Sequence, residues 1–403
     1  MKGESVTRTA IICGGSIGGL FAAAALRAKG WQVDVFERSA VELAGRGAGI
    51  VTHDILIDAL NNVGAGAQAL GVDVHDRVAF DLDGEIVASL PYFQTVTSWD
   101  RIHQLLRRIL PDEHHHLGRA VAGYSQSEEG VEVRFENGET ARADILVGCD
   151  GFRSVVRNQM LPQITPQYSG YVVWRALANE ADFSAELLEL IFGKFGFFLP
   201  TGTQIVGYPI AGTGNDLRPG HRRYNFVWYA PVSAQQLADM LTDESGRHHA
   251  LSIPPPLIRE AVLQRMEREA KEILPQAFVE MLAQSERPFF TPIYDHHSPR
   301  MAEGRVALAG DAACVARPHV GMGVTKAASD ALSLARQLEQ GSVEDALEAY
   351  SAERVPAAKA AFNRSRRLGG FIFEDPAIGT NHDGRSNPNL EEIMRNTAIA
   401  DFD

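Results

Sequence analysis

The residues able to do chemistry begin near the start of the chain. Thr9-Ala10-Ile11-Ile12-Cys13 is an apolar run of strand type, and it meets Gly14-Gly15-Ser16-Ile17-Gly18-Gly19. Residues 21–29 read as an alanine-rich helix that stops at Gly30, and residues 32–36 as a second strand ending in Glu37-Arg38. A glycine turn between strand and helix lets the backbone approach a pyrophosphate. The charge of that group then sits on the N–H groups that open the helix. An acidic residue about twenty positions on can accept from ribose hydroxyls. The spacing predicts a βαβ dinucleotide site built by Gly14, Gly15, Ser16, Ile17, Gly19, Glu37 and Arg38. Ser16 holds the middle glycine position of G-x-G-x-x-G; it is small and can donate to a phosphate.

Further candidates lie downstream. Asp150-Gly151 and Arg157 follow the apolar run at residues 145–147. Gly310-Asp311 follows another buried strand, and Pro318-His319-Val320-Gly321-Met322-Gly323-Val324 lead into a long helix. Arg46 stands in a glycine-rich loop. Arg175 and Tyr208 lie in strand-like runs, and an arginine in a strand is costly to bury without a partner. A proton acceptor useful near neutral pH is a histidine, or a tyrosine within a hydrogen-bond network, which singles out His319 and Tyr208. Other clusters read as packing or solvated surface. Adjacent histidines point apart, so His114-His115-His116, His248-His249 and His296-His297 are taken as solvated loops without metal. Cys13, Cys149 and Cys314 read as buried small residues.

The elements that must position these residues alternate in type. A helix with Ile55, Leu56, Ala59, Leu60 and Val63 on one face closes at Gly64. Residues 78–90 form a hairpin turning at Asp83-Gly84. Ser98 caps a helix that buries Ile102, Leu105 and Leu106. Residues 131–135 and 143–147 form strands around Asn137-Gly138, a second hairpin signal. Residues 171–177, 195–199, 204–210 and 224–229 are aromatic and β-branched without βα alternation, which predicts a separate, largely antiparallel sheet. Residues 257–274 are helical in pattern, as are 325–338 and 343–368. The segment after Gly370 is polar and reads as irregular.

These readings divide the chain into a dinucleotide-binding part at 1–75, 98–165 and 291–370, a hairpin at 76–97 and a sheet domain at 166–290, with a tail at 371–403. The 403 residues suit two or three domains, and the 45% apolar content suits a full core. The formal net charge of −13 argues against nucleic acid or an anionic membrane surface as partner. No apolar run reaches the roughly twenty residues of a spanning helix. With three cysteines and no signal-peptide layout at the start, the expectation is a cytoplasmic protein.

The three ordered motifs together resemble the group A flavin-dependent aromatic hydroxylases, the para-hydroxybenzoate hydroxylase type. They are the glycine turn, Asp150-Gly151-Phe152-Arg153-Ser154-Val155-Val156-Arg157, and Gly310-Asp311 with Pro318-His319-Val320-Gly321-Met322-Gly323. Within that family, Ser169-Gly170-Tyr171-Val172-Val173-Trp174-Arg175, Tyr208-Pro209-Ile210 and Asn225-Phe226-Val227-Trp228-Tyr229 resemble the hydroxypyridine hydroxylases. The resemblance implies an α/β fold: a Rossmann-like FAD-binding domain, an inserted largely antiparallel substrate sheet, and C-terminal helices. It implies FAD on the glycine turn with Glu37 at the ribose, and Asp311 on the ribityl chain. Gly321, Met322, Gly323 and Val324 would face the flavin pyrimidine. Asp150, Gly151 and Arg157 would serve FAD and the nicotinamide donor, and Arg46 would lie beside the isoalloxazine.

The implied reaction spends NADH or NADPH and O2 through a flavin C4a-hydroperoxide to hydroxylate an electron-rich aromatic ring. The substrate would meet Tyr208, Arg175, His319 and Pro318. A benzoate or phenol substrate and a non-hydroxylating FAD oxidoreductase stand as alternatives, and a homodimer is expected. Three positions depart from the family pattern: Cys314 replaces a histidine, Met322 a glutamine, and Trp99 an arginine that Arg101 follows two residues late.

Overall fold

In the computed structural model of the chain, residues 7–43, 49–200, 202–373 and 389–400 are described. Thr9–Cys13, buried from Ala10 onward, is a central strand of a six-stranded sheet. It pairs in parallel with Ile145–Gly148 on one side and Gln32–Glu37 on the other. Val306–Leu308 extends the sheet in parallel beyond Ile145–Gly148, and Ala302–Glu303 closes that edge antiparallel. Chain order thus reverses around Thr9–Cys13, and a crevice opens at its C-terminal end, where α/β sheets bind ligands.

The first helix is Ile17–Ala28. Its Leu20, Phe21, Ala22 and Ala23 are nearly or fully buried. Burial of Phe21 alone is worth about 1.5–3 kcal/mol. The alanines let this helix lie close to Gly323–Gln337, whose facing side carries Ala327, Ala328 and Ala331.

The second sheet has nine strands, in the order Cys314–Val315, Phe289–His297, Gln167–Asn179, Arg223–Pro231, Gln204–Ile210, Lys194–Phe198, Val72–Phe80, Ile86–Ser98, Gly49–Val51. Neighbours are antiparallel except Lys194–Phe198 beside Val72–Phe80. Side chains alternate between its two faces. One face, with Trp174, Phe226 and Trp228, packs on the helices Ala234–Met240, Glu260–Ile273 and Gln276–Ala283. The other face carries Tyr171, Val173, Tyr208, Val227 and Tyr229. A smaller sheet joins Val121–Ser127, Gly130–Phe135 and Thr140–Ala143.

Four expectations change. The partner across Asn137-Gly138 is Thr140–Ala143, and Ile145–Gly148 belongs to the parallel sheet, so the single strand read at 143–147 spans two. His115 is no solvated loop residue: His115–Leu117 adds a parallel edge strand beside Gln32–Glu37, and the His115 side chain is buried. His296 is likewise buried, in Phe289–His297, against Arg157. Part of the segment after Gly370 is regular and ordered against the core. Asn389 caps the helix Leu390–Asn396, and Ile393, Met394 and Ala398 join the apolar face of the second sheet.

Candidate active site

The glycine turn is built by close approach. Gly14 has φ +109°, and a Cβ there would stand 2.4 Å from the Cys149 carbonyl oxygen; a Cβ at Gly19 would meet the Gly14 carbonyl at 1.8 Å. Only glycine therefore allows strand, turn and helix to pack at these distances. Glu37 is buried and tethers the turn: its carboxylate accepts from the backbone N–H of Gly15 and of Ser39, each at 2.8 Å. Arg38 is exposed beside it.

Helix capping separates two helices from most others. Ser98, Ser154, Ser184, Ser233, Ser342 and Asn389 each cap a helix through the side chain. Ser16, before Ile17–Ala28, makes no capping bond, and neither does Met322, before Gly323–Gln337. Neither helix carries an acidic residue in its first turn. A Cβ at Gly323 would meet nothing within 4 Å, so the second N-terminus is open. Two uncapped N-termini with partial positive charge, one behind a glycine cradle and one open, suit an anionic dinucleotide whose reduced ring also carries negative charge. The residues present fit FAD.

Asp311 is open to this crevice, in a turn held from behind. Gly310 N–H donates to Asp330 at 3.0 Å, and Lys326 Nζ donates to the Gly310 carbonyl at 2.7 Å. Asp330 is fully buried and also pairs with Arg354 at 2.8 Å. The surrounding protein pushes the Asp311 carboxyl upward, with Lys326 pulling the other way. Asp150 is turned inward. It accepts from Ser154 Oγ and from the Val155 and Val156 N–H groups, beside Gly151 at φ +75°. Arg157 is buried, bonded to His296 and to the Phe152 carbonyl. Arg46 lies outside the described residues. Trp99 stacks on His103, while Arg101 donates to the Gln68 carbonyl.

The register of the second sheet assembles the other half. Arg175 lies opposite Val227, which lies opposite Val206; in the next row Leu177, Asn225 and Tyr208 are aligned. Arg175 is half-buried on the face that carries Tyr208 and Tyr229, and it makes no hydrogen bond or ion pair among the described residues. Burial pushes the phenols of Tyr208 and Tyr229 up, the second to about 12, with Arg175 opposing in each case. Tyr208 stacks on Phe195 at 4.9 Å, and its ring lies where a Cβ on Gly49 would be, 2.5 Å away. Asn225, fully buried, accepts from Gly49 N–H at 3.2 Å. It ties the first described residue after the Arg46 loop to this sheet.

His319 and Pro318 lie where the two halves meet. His319 is buried, stacked on Tyr229 at 4.3 Å, with Nε2 3.0 Å from Tyr171 Oη and Nδ1 unpartnered. Burial, reinforced by Arg317, lowers it to about 3, so the ring is neutral at neutral pH. Pro318 is half-buried. Gly321, at φ +63°, and Met322 form the turn into Gly323–Gln337, where Val324 is half-buried.

Comparison with known proteins supports the same reading. The family description "FAD binding domain-like" matches residues 168–295, a stretch that lies in the second sheet and its helices. The chain is 32% identical to 2,6-dihydroxypyridine 3-monooxygenase of Paenarthrobacter nicotinovorans, over 89% of each protein. The chain belongs to the FAD-dependent aromatic monooxygenases. It is also 28% identical to 3-amino-4-hydroxybenzoate 2-monooxygenase of Streptomyces cremeus, covering 89% of this chain and 86% of the relative. The solved structure of 2,6-dihydroxypyridine-3-hydroxylase from Arthrobacter nicotinovorans superposes with a TM-score of 0.88 at 30% identity, over 99% of both chains. The chain is thus an FAD-dependent, NAD(P)H- and O2-consuming enzyme that hydroxylates a small aromatic ring.

Sequence reasoning missed Lys326, Asp330 and Arg354, which hold the Gly310-Asp311 turn, and the role of Asn225 in holding Gly49. The spacing of Lys326 and Asp330, one turn apart and directly after the Gly321 motif, was a usable signal. Nothing in the sequence marks Arg354, and Asn225 stands out only as the start of the stretch that resembles the hydroxypyridine hydroxylases.

Proposed function

We propose that this monooxygenase acts on a hydroxypyridine-type N-heteroaromatic ring bound in its ionised form. The observation that carries the reading is Arg175, a cation without a partner among the described residues, on the face bearing Tyr208 and Tyr229. A half-buried, unpaired guanidinium is costly, and an anionic ring oxygen would satisfy it. The substrate named for the Paenarthrobacter relative has such oxygens flanking a ring nitrogen.

Bound FAD supplies hydride acceptance from NADH or NADPH and the activation of O2. Gly14, Gly15, Ser16, Ile17 and Gly19 would hold its pyrophosphate side, with Glu37 and Arg38 toward the adenosine. Asp311 would serve the ribityl chain, and Gly321, Met322, Gly323 and Val324 the pyrimidine. Arg157 and Asp150-Gly151 would shape the wall of the crevice, and Arg46 its mouth. The protein's own work is placement. Arg175 holds the ring oxygen as an anion, which makes the carbons ortho and para to it nucleophilic. Tyr208, kept neutral by burial, donates to the ring. Pro318 and His319 pack beneath, and the aromatic walls exclude water. Because the ring ionises against Arg175, no protein base is required, and His319 orients Tyr171 and Tyr229 as a neutral imidazole.

A carboxylate would satisfy Arg175 equally well, so a hydroxylated benzoate is the second reading. The test is steady-state NAD(P)H oxidation by purified enzyme with 2,6-dihydroxypyridine and, separately, 4-hydroxybenzoate and 3-amino-4-hydroxybenzoate. Stimulation with hydroxylated product from the pyridine supports the first reading. Stimulation by the benzoates alone replaces it with the second. A homodimer belongs to the same proposal: Phe93, Val87 and Ile86 are exposed on Ile86–Ser98, beyond its short pairing with Gly49–Val51 at residues 96–98, an apolar stretch suited to a second copy. Light scattering at the monomer mass would remove it. Three free, buried cysteines accord with a reducing, cytoplasmic setting. No helix among the described residues is long and apolar enough to cross a membrane.

A further inference from the structure

Residues 389–400 lie across the face of the second sheet that bears Tyr208 and Tyr229, and one buried arginine holds them there. Arg77 is fully buried. It donates to the Met394 carbonyl at 2.8 Å and the Thr397 carbonyl at 2.6 Å, and to Gln94 Oε1 at 2.8 Å. Its guanidinium also stacks over Tyr92 and Phe195, and Phe195 in turn stacks on Tyr208. Gln94 passes the contact on, donating to the Ala398 carbonyl at 3.0 Å and the Thr52 carbonyl at 3.2 Å.

The far end of the segment reaches the turn before Gly323–Gln337. Ala398 N–H donates to the His319 carbonyl at 3.0 Å. A Cβ on Gly321 would stand 2.8 Å from Ala398 Cα, so glycine is required for the segment to lie this close. Ala400 packs with Val320, Met322 and Leu368. His53 joins the segment to the helix. The Ala398 carbonyl can only accept, so His53 Nε2, 3.1 Å away, carries the proton, and Nδ1 accepts from Thr325 Oγ1 at 2.8 Å. Ile393 and Met394 meanwhile enter the apolar cluster of Tyr171, Tyr208 and Tyr229.

We infer that Arg77 is a positioning residue of the hydroxylation, acting through residues 389–400, which it fixes as the wall that shuts water out between the Gly321 turn and the ring-binding face. Such a wall decides how O2 is spent. In the productive reaction NAD(P)H, a proton, O2 and the aromatic ring give NAD(P)+, the hydroxylated ring and water. When water enters, NAD(P)H, a proton and O2 give NAD(P)+ and hydrogen peroxide, and the ring is unchanged. An arginine is needed because two carbonyls and one amide oxygen must be met at once by a planar fork.

The test compares wild type, Arg77→Met, Arg77→Lys and a chain ending at residue 388. Three readouts are taken: the rate of tryptic cleavage after Arg395, the affinity of apoprotein for FAD from flavin fluorescence, and the share of oxidised NAD(P)H appearing as peroxide with 2,6-dihydroxypyridine as probe. Arg395 is exposed but sits in the docked helix. Arg77→Met is expected to raise cleavage about tenfold or more, weaken FAD binding by about tenfold, and at least double the peroxide share. Arg77→Lys, keeping the charge and part of the bonding, is expected to recover part of each change. Wild-type cleavage in Arg77→Met overturns the anchoring. Faster cleavage with wild-type FAD affinity and peroxide share overturns the role in the reaction. Should Arg77→Met fail to fold, the shortened chain decides: wild-type FAD affinity and peroxide share there refute the inference. Wild-type enzyme that leaves 2,6-dihydroxypyridine untouched refutes the substrate reading alone, since cleavage and FAD affinity are measured without it.

Discussion

Replacing Arg175 by methionine separates binding chemistry from folding. The side chain is half-buried and has no partner among the described residues, so methionine removes a charge that supports no other group. Folding stability should stay within about 1 kcal/mol of wild type, with an unchanged melting midpoint. The substrate loses more. A charge-assisted hydrogen bond contributes about 1.5–3 kcal/mol, which is about a ten- to 150-fold loss of kcat/KM. The assay is steady-state oxidation of NAD(P)H with 2,6-dihydroxypyridine, beside thermal denaturation. Arg175→Lys should recover part of the loss, because it restores charge without the planar fork. Tyr208 and Tyr229 lose the cation that opposes their upward shift, so both stay neutral through the working range. Wild-type kcat/KM in Arg175→Met, or a loss that tracks unfolding, would refute the reasoning.

Three further outcomes follow from the same contacts. Asp330→Asn leaves Lys326 and Arg354 without their buried counter-charge and should cost about 3–5 kcal/mol, read as a lower melting midpoint and lower FAD content; wild-type values in both would contradict the clamp on Gly310. Gly19→Ala should abolish FAD binding, since its Cβ would press on the Gly14 carbonyl; a variant that purifies yellow refutes this. Burial holds His53 near 4 and His296 and His319 near 3, all below the unfolded value of about 6.5. The unfolded chain therefore takes up protons first on acidification. Stability is full above about pH 6.5 and falls as pH drops toward the folded values, by up to about 2 kcal/mol per histidine by pH 5. Melting curves across that range should show the slope, and His296→Asn should flatten it; an equal slope in the variant contradicts the assignment.

Much of this architecture was legible because local chemistry dictates it. Gly14 and Gly19 cannot be replaced at their distances, and the aromatic and β-branched runs at 204–210 and 224–229 read as sheet strands, which the structure buries on both faces. The sheet register that brings Arg175 beside Tyr208 and Tyr229 follows from such strands only once their order is known. What stayed hidden depends on contacts between distant parts of the chain. Residues 389–400 look polar and loose in sequence, yet Ile393 and Met394 are spaced to bury against a sheet formed hundreds of positions earlier. Arg77 reads as one more strand charge until its carbonyl partners arrive. His115 and His296 were misread for the same reason: adjacency suggested solvent, while a neighbouring strand or arginine enclosed each. Asp330 and Arg354 hold a turn from behind and bear no motif of their own.

The central claim is that the crevice of the first sheet and the Arg175 face of the second form one site, where oxygen is delivered to an ionised hydroxypyridine. It is tested most directly by giving the purified enzyme isotopically labelled dioxygen, NAD(P)H and 2,6-dihydroxypyridine, and weighing the product. One labelled oxygen atom in the ring is expected for each NAD(P)H consumed, with little peroxide. Full conversion of dioxygen to peroxide with the ring unlabelled, for this and every other hydroxypyridine tried, would contradict it.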